Sequence, residues 1–145
     1  MVVVVIIGIS LAVAVPRLFP GDAEITRRES ERVLAILQHA RDEAAFGGRV
    51  IAARFDTGQM QFFERDAGNA DRWNPSTSPE LKAHAFAETV SVQLTVAGSA
   101  VAQQDAQIIF LPIGVTQPFE LSLATPSLMV TIVGDAIGNL RFKAG

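Results

Sequence analysis

The hydrophobic and polar positions divide this chain of 145 residues into three parts. Residues 1–15 form an apolar run with no charged side chain, and Pro16 ends it. Residues 26–46 repeat apolar positions at helical spacing, and from Arg49 onward the repeat has a period of two. One helical part followed by consecutive strands predicts an α+β fold.

The first apolar run predicts a hydrophobic helix. At about 1.5 Å per residue, 15 residues span roughly 22 Å, which is shorter than the ~30 Å hydrocarbon core of a bilayer. A secretory signal peptide is disfavoured because no basic residue precedes the run and no cleavage site of small residues follows it. A buried core strand or core helix is the alternative that the residues leave open.

A second, amphipathic helix follows a joint. Proline and glycine disfavour continuous helix, so we predict a kink over Pro16–Gly21. Thr26 and Glu29 have the spacing of a capping box, which predicts that the second helix begins at Thr26. The pair Gly47 and Gly48 then ends it. The apolar stripe that we expect to pack on a sheet consists of Val33, Leu37, Ala40 and Ala44.

The other face of this helix predicts a solvated surface, since its polar residues alternate in charge. It comprises Arg28, Glu31, Arg32, Gln38, Asp42 and Glu43. We divide the chain into residues 1–21, the hydrophobic helix and its joint, and residues 22–145, one α+β domain.

About seven strands follow, and their short links predict antiparallel sheets. They are "RVIAARFD", "QMQFFER", "TVSVQLTV", "AQIIFLP", "PFELSLA", "LMVTIVG" and "NLRFK". Thr57 and Gly58 between the first two predict a hairpin turn. Residues 66–79 are read as one long polar loop, in which Trp73 either covers a sheet edge or anchors a binding surface.

Composition removes several classes of function. The chain has no cysteine, which excludes a disulfide framework and a thiolate site. Its net charge of −3 gives no electrostatic reason to bind nucleic acid. Its two histidines, His39 and His84, lack metal-ligand spacing, and no nucleophile motif is present, so we expect no catalytic, cofactor, metal or small-molecule site. A calcium loop is the weaker alternative for Asp66, Asn69 and Asp71, because the spacing does not match an EF-hand.

Three segments together resemble a known family. The run "VVVVIIGISLAVAVP" is similar to the N-terminal helix of type IV pilin-like proteins. The segments "ERVLAILQHARDEAAFGGR", "IIFLPIGVTQPFELSL" and "VGDAIGNLR" resemble the helix and the C-terminal strands of GspH-type minor pseudopilins, in the GspH/FimT family. The likeness extends over nearly the whole chain.

The resemblance implies a non-enzymatic minor pseudopilin without a cofactor, near the tip of the type II secretion pseudopilus, which supports export of folded proteins across the outer membrane. Its implied partners are the other minor pseudopilins, the major pseudopilin and the bacterial inner membrane, crossed once, with the C-terminal domain in the periplasm. The implied membrane and filament positions are Val2, Val5, Ile6, Ile9, Leu11, Val15 and Pro16. The implied partner loop contains Asp66, Asn69, Asp71 and Trp73.

The family pattern also has parts that this sequence lacks. Members carry a basic leader, a glycine and an F-T-L-I-E segment before the apolar run, and a prepilin peptidase cleaves and methylates them. We therefore expect Met1 to lie inside the natural helix. The runner-up is a FimT-like minor pilin for pilus assembly or DNA uptake, although only Arg141 and Lys143 cluster as basic residues. A third hypothesis is a small anchored periplasmic enzyme.

Overall fold

A computed structural model describes residues 21–56, 58–69, 71–96, 99–100, 107–115 and 118–143. Within these ranges, no helix is both long enough and apolar enough to cross a membrane. The predictions for the hydrophobic helix and for most of the kinked joint lie outside the described residues. They include those for Val2, Val5, Ile6, Ile9, Leu11, Val15 and Pro16.

The amphipathic helix, α1 (Asp22–Gly47), begins earlier than the sequence predicts. Gly21 precedes it in an extended conformation, and no side chain caps the first turn. The capping-box prediction for Thr26 is therefore wrong. The Thr26 hydroxyl instead donates a hydrogen bond to the carbonyl oxygen of Asp22 at 2.9 Å and lies 2.8 Å from the Thr125 hydroxyl oxygen. These contacts satisfy a polar side chain that has no exposed surface.

The end of α1 agrees with the predicted glycine signal. Gly48 adopts a left-handed conformation, with φ 64° and ψ 31°. Glycine has no Cβ to clash with the neighbouring carbonyl in that region, so it ends the helix with little strain. The chain then turns into the first strand.

The first sheet has six strands, in the order β3-β2-β1-β7-β8, and β4 also pairs with β2. Every pairing is antiparallel, and the β1–β2 pair is the predicted hairpin, with Gly58 at φ 77° in its turn. The strands are β1 (Ile51–Asp56), β2 (Gln59–Arg65), β3 (Trp73–Pro75), β4 (His84–Ala85), β7 (Gln107–Leu111) and β8 (Gly114–Val115).

The second sheet has five antiparallel strands, in the order β11-β10-β9-β5-β6. They are β5 (Ser91–Val96), β6 (Ser99–Ala100), β9 (Phe119–Ala124), β10 (Met129–Gly134) and β11 (Leu140–Phe142). The seven predicted strands correspond to β1, β2, β5, β7, β9, β10 and β11. The other four described strands are only two or three residues long.

One hydrophobic core joins the helix to both sheets. Phe110 of the first sheet and Leu121 of the second are both fully buried and belong to the same cluster as Leu37 of α1. The helix contacts β1 and β7 on one side and β9, β10 and β11 on the other. The α+β prediction, with an amphipathic helix packed on antiparallel sheets, is confirmed.

Candidate functional site

The apolar stripe of α1 fixes the helix against the sheets. Val33, Leu37, Ala40 and Ala44 each have 0 % exposed surface. Their steps of four, three and four residues keep them on one face of the helix, and the alanines allow close approach of the strands.

The polar face of α1 is less uniform than the sequence predicts. Arg28, Glu31 and Arg32 are exposed, but the side chain of Glu43 is only 24 % exposed. The Ser78 hydroxyl donates to Glu43 Oε1 at 2.6 Å. The prediction that Glu43 lies on a solvated surface is therefore wrong, because the chain after β3 covers it.

The segment that covers this face is the connection between β3 and β5, residues 76–90, called here the strap. A short 3₁₀ helix, η1 (Pro79–Leu81), inserts the buried Leu81 beneath α1. Further along, His84 Nε2 lies 2.7 Å from Glu29 Oε2 of α1, and both side chains are mostly buried. The strap is thus held to the helix by the buried Leu81 and by polar contacts of Ser78 and His84.

The predicted partner loop separates into a turn and a strand. Asn69 accepts hydrogen bonds from two backbone N–H groups, that of Asp71 at its side chain and that of Arg72 at its carbonyl oxygen. The N–H of Asp66 donates to the carbonyl oxygen of Arg72. Asp66, Asn69 and Asp71 therefore shape the turn between β2 and β3, whereas Trp73 lies beyond it on β3.

Trp73 lies on the outer face of the first sheet, between two arginines. The guanidinium carbon of Arg65, its partner across β2–β3, is 5.1 Å from the Trp73 ring centroid, and that of Arg54 is 5.7 Å away. Arg54 also lies 4.3 Å over the ring of Phe63. Cations over aromatic faces attract the ring quadrupole, so the four side chains support one another. They are called here the arginine-aromatic face.

The arginine-aromatic face is positively charged, whereas the chain as a whole has a net negative charge. Arg54 and Arg65 form no ion pair with the carboxylates that the structure describes, although the net charge of the chain is −3. Arg54 Nε donates to the amide oxygen of Gln107, at 3.3 Å. Two guanidinium groups on an aromatic surface are suited to receive carboxylates from another molecule.

A second polar cluster lies where the strap meets the C-terminal half of α1. His39 Nε2 lies 3.2 Å from Glu43 Oε1 and 3.8 Å from Glu80 Oε2. The pKa of Glu80 is lowered from its ordinary value, first because a backbone N–H donates to its carboxylate and next because the Ser78 hydroxyl does. His39 adds a smaller electrostatic attraction.

Residues 29–138, about three quarters of the chain, match the family described as "Type II transport protein GspH". The chain belongs to the GspH family. This match confirms the resemblance read from the sequence. A comparison with curated proteins finds no match.

Solved structures show that the fold is shared by GspH-type pseudopilins. The minor pseudopilin EpsH of Vibrio cholerae aligns with TM-score 0.72 and 17 % identity, over 86 % of this chain and 99 % of that one. Escherichia coli GspH aligns with TM-score 0.63 and 22 % identity, over 86 % and 93 %. The type IV minor pilin FimU of Pseudomonas aeruginosa gives 0.59 and 16 %, over 81 % and 87 %. At these identities the likeness concerns the fold.

Sequence reasoning missed the arginine-aromatic face of this GspH-family chain and the cluster at His39. The arginine-aromatic face could be found only from the register of the β1–β2 hairpin, because that pairing brings Arg54 next to Phe63. In the second case, His39 and Glu43 are separated by four residues, a spacing that places both on one helix face. Glu80 is remote in sequence and gave no signal.

Proposed function

We propose that the chain is a non-enzymatic structural subunit, a minor pseudopilin of a type II secretion system near the tip of its pseudopilus. The observation that supports it most strongly is the match to the GspH family over residues 29–138. In this role the apolar residues at the start of the chain lie in the inner membrane and then in the filament core, with the domain of residues 22–145 in the periplasm. Both environments of the helix are apolar, so transfer between them costs little.

We propose further that the arginine-aromatic face contacts a neighbouring pseudopilin. This proposal keeps Trp73 from the predicted partner loop and leaves out Asp66, Asn69 and Asp71. Interfaces concentrate their binding energy in tryptophan and arginine, which combine large apolar area with directed hydrogen bonds. Trp73 is half-buried and already ordered by Arg54 and Arg65, so little side-chain entropy is lost when a partner binds. The complementary surface is one that presents Asp or Glu side chains.

Photo-crosslinking in living cells tests both proposals. A photoreactive phenylalanine derivative replaces Gln61, which lies on the same sheet face as Phe63, so that Trp73 stays in place. We expect an adduct with another pseudopilin. The control position is Glu31, an exposed residue on α1.

The outcomes distinguish the proposed role in secretion from the proposed contact through the arginine-aromatic face. Adducts with pseudopilins at Glu31 but not at Gln61 would support the secretion role and reject the arginine-aromatic face. Adducts at Gln61 with pseudopilins, lost after Arg54→Ala, would support both. Adducts with type IV pilus subunits alone would contradict the secretion role.

A FimT-like minor pilin is the second candidate, because the FimU structure shares the fold over 81 % of the chain. In a DNA-uptake role, the basic residues at the C-terminal end would contact phosphates. Lys143 Nζ lies 3.3 Å from Glu120 Oε1, which offsets its charge and leaves Arg141 as the exposed cation of the pair. Gel-shift binding of DNA at physiological salt that is lost on Arg141→Ala would favour this candidate over the pseudopilin.

A further inference from the structure

Four donor atoms converge where the strap meets α1. One ligand atom from each of His39, Glu43 and Glu80 lies within 4.8 Å of the other two. The hydroxyl oxygen of Ser78 lies 2.6 Å from Glu43 Oε1 and 3.0 Å from Glu80 Oε2. Two of these residues come from one turn of α1 and two from the strap, so the tertiary fold brings them together.

One carboxylate oxygen of this cluster lacks a hydrogen-bond donor, and a single hydroxyl is shared between the two carboxylates. A serine hydroxyl has a single hydrogen, so Ser78 satisfies either Glu43 or Glu80 at one time. Glu43 Oε2 is buried and has no hydrogen-bond partner among the described residues. A buried carboxylate oxygen without a donor is costly, and two carboxylates this close repel each other.

The nearby arginines do not neutralise the cluster. Arg41 pairs with Asp42 at 3.1 Å and also donates to the carbonyl oxygen of Gly138. Arg49 pairs with Glu64 at 2.8 Å. Among the described ion pairs, His39 is the one basic group within 4.0 Å of Glu43 or Glu80. Among the described residues, therefore, no lysine or arginine forms an ion pair with Glu43 or Glu80.

The distances from the His39 nitrogen to the two carboxylates fit a small transition-metal ion. Metal–ligand bonds of about 2.0–2.2 Å in a tetrahedral site place neighbouring ligand atoms about 3.3–3.6 Å apart. The His39 Nε2 distances to Glu43 Oε1 and Glu80 Oε2, 3.2 Å and 3.8 Å, lie on either side of that range. One imidazole nitrogen with two carboxylates suits Zn²⁺ better than Ca²⁺, which takes oxygen ligands.

We propose that His39, Glu43 and Glu80 bind one divalent transition-metal cation of the Zn²⁺ type. Three protein ligands leave the fourth position to water, and the half-exposed His39 and the exposed Glu80 give the ion access from solvent. The bound ion links the helix to the strap and offsets the repulsion between the carboxylates of Glu43 and Glu80. The site is independent of the secretion role, so either can fail without the other.

The chain contains a matched comparison for this site. His84 and Glu29 also join the strap to α1, at 2.7 Å, but the structure places no second carboxylate with them in a group of three metal-ligating side chains among the described residues. Glu29→Gln therefore removes a carboxylate beside a histidine without touching the proposed ligands. It serves as the control for Glu80→Gln, which makes the same chemical change inside the site.

The test is calorimetric titration of the metal-free full chain with Zn²⁺ in mild detergent near neutral pH. We expect one site, weakened at least tenfold by Glu80→Gln and by His39→Ala, and unchanged by Glu29→Gln. Zn²⁺ should also raise the unfolding midpoint of the parent and of Glu29→Gln but not that of Glu80→Gln. Ca²⁺ in equal concentration should not displace Zn²⁺.

Three results would overturn the proposal. These are no saturable Zn²⁺ binding to the parent chain, equal binding by the parent and by Glu80→Gln, and equal weakening by Glu29→Gln. Circular dichroism of each variant shows whether it is folded. If His39→Ala is unfolded, the comparison of Glu80→Gln with Glu29→Gln alone decides the question.

Discussion

Truncation of Leu37 measures directly how much the helix-to-sheet packing contributes. Leu37 is fully buried in the middle of the α1 stripe, in the cluster that joins the helix to both sheets. Leu37→Ala removes the branched end of the side chain. At about 0.8 kcal/mol per carbon group, the lost transfer free energy is about 2.4 kcal/mol.

A cavity adds to that loss. Strands from two sheets surround α1 and are held by their own ladders, so they cannot close fully around the smaller side chain. We therefore expect the free energy of unfolding to fall by about 3 kcal/mol, within the range of roughly 2–5 kcal/mol typical of buried leucines. That is a large part of the roughly 5–15 kcal/mol that stabilises a small domain.

Urea denaturation of the full chain in mild detergent, followed by the fluorescence of its only tryptophan, measures this change. With a slope of about 2 kcal/mol per molar, the midpoint should fall by about 1.5 M. The control is Phe46→Ala on the same helix, where a larger apolar side chain is 90 % exposed and its loss should change stability by about 0.5 kcal/mol or less. Equal midpoints for Leu37→Ala and the parent would refute the packing described here.

Two further substitutions test other contacts. Gly134→Ala should destabilise the second sheet by about 1–3 kcal/mol, because its Cβ would clash with the Phe119 ring. Gly68→Ala, which has open space around it, should be nearly neutral in the same urea assay. Ser78→Ala should raise the pKa of Glu80 in a metal-free carboxylate NMR titration, since it removes one donor to the ionised form; an unchanged or lower pKa would contradict that contact. Because the folded pKa of Glu80 is lowered, its ionised form favours folding above its ordinary pKa, and that contribution disappears as the pH falls through the lowered value.

Most of the fold was predictable because long periodic segments carry it. The four-three-four spacing from Val33 to Ala44 indicated the buried face of α1, and alternation indicated the long strands. The start of α1 was not predictable from a capping signal, because the residue before the helix, Gly21, has no side chain to cap it. Thr26 has the sequence spacing of a cap but lies inside the helix, where its hydroxyl donates to the Asp22 carbonyl oxygen. Strands of two or three residues, such as β4, are too short to show alternation.

The candidate sites were less predictable than the fold, because each depends on residues that are distant in sequence. Trp73 was singled out from the sequence, but Arg54 reaches it only through two successive strand pairings. Similarly, Glu80 joins His39 only because the strap crosses α1. Local patterns specify elements, whereas the partners of a polar side chain depend on how those elements pack.

The most direct test of the proposed role is deletion of the gene in the bacterium that encodes it, followed by assay of exported proteins. We expect proteins that leave by type II secretion to accumulate in the periplasm, and the intact gene to restore their export. Type IV pilus functions, measured as twitching motility and DNA uptake in the same strains, should be unchanged. Normal secretion together with loss of twitching or of DNA uptake would contradict the pseudopilin role and favour the FimT-like minor pilin.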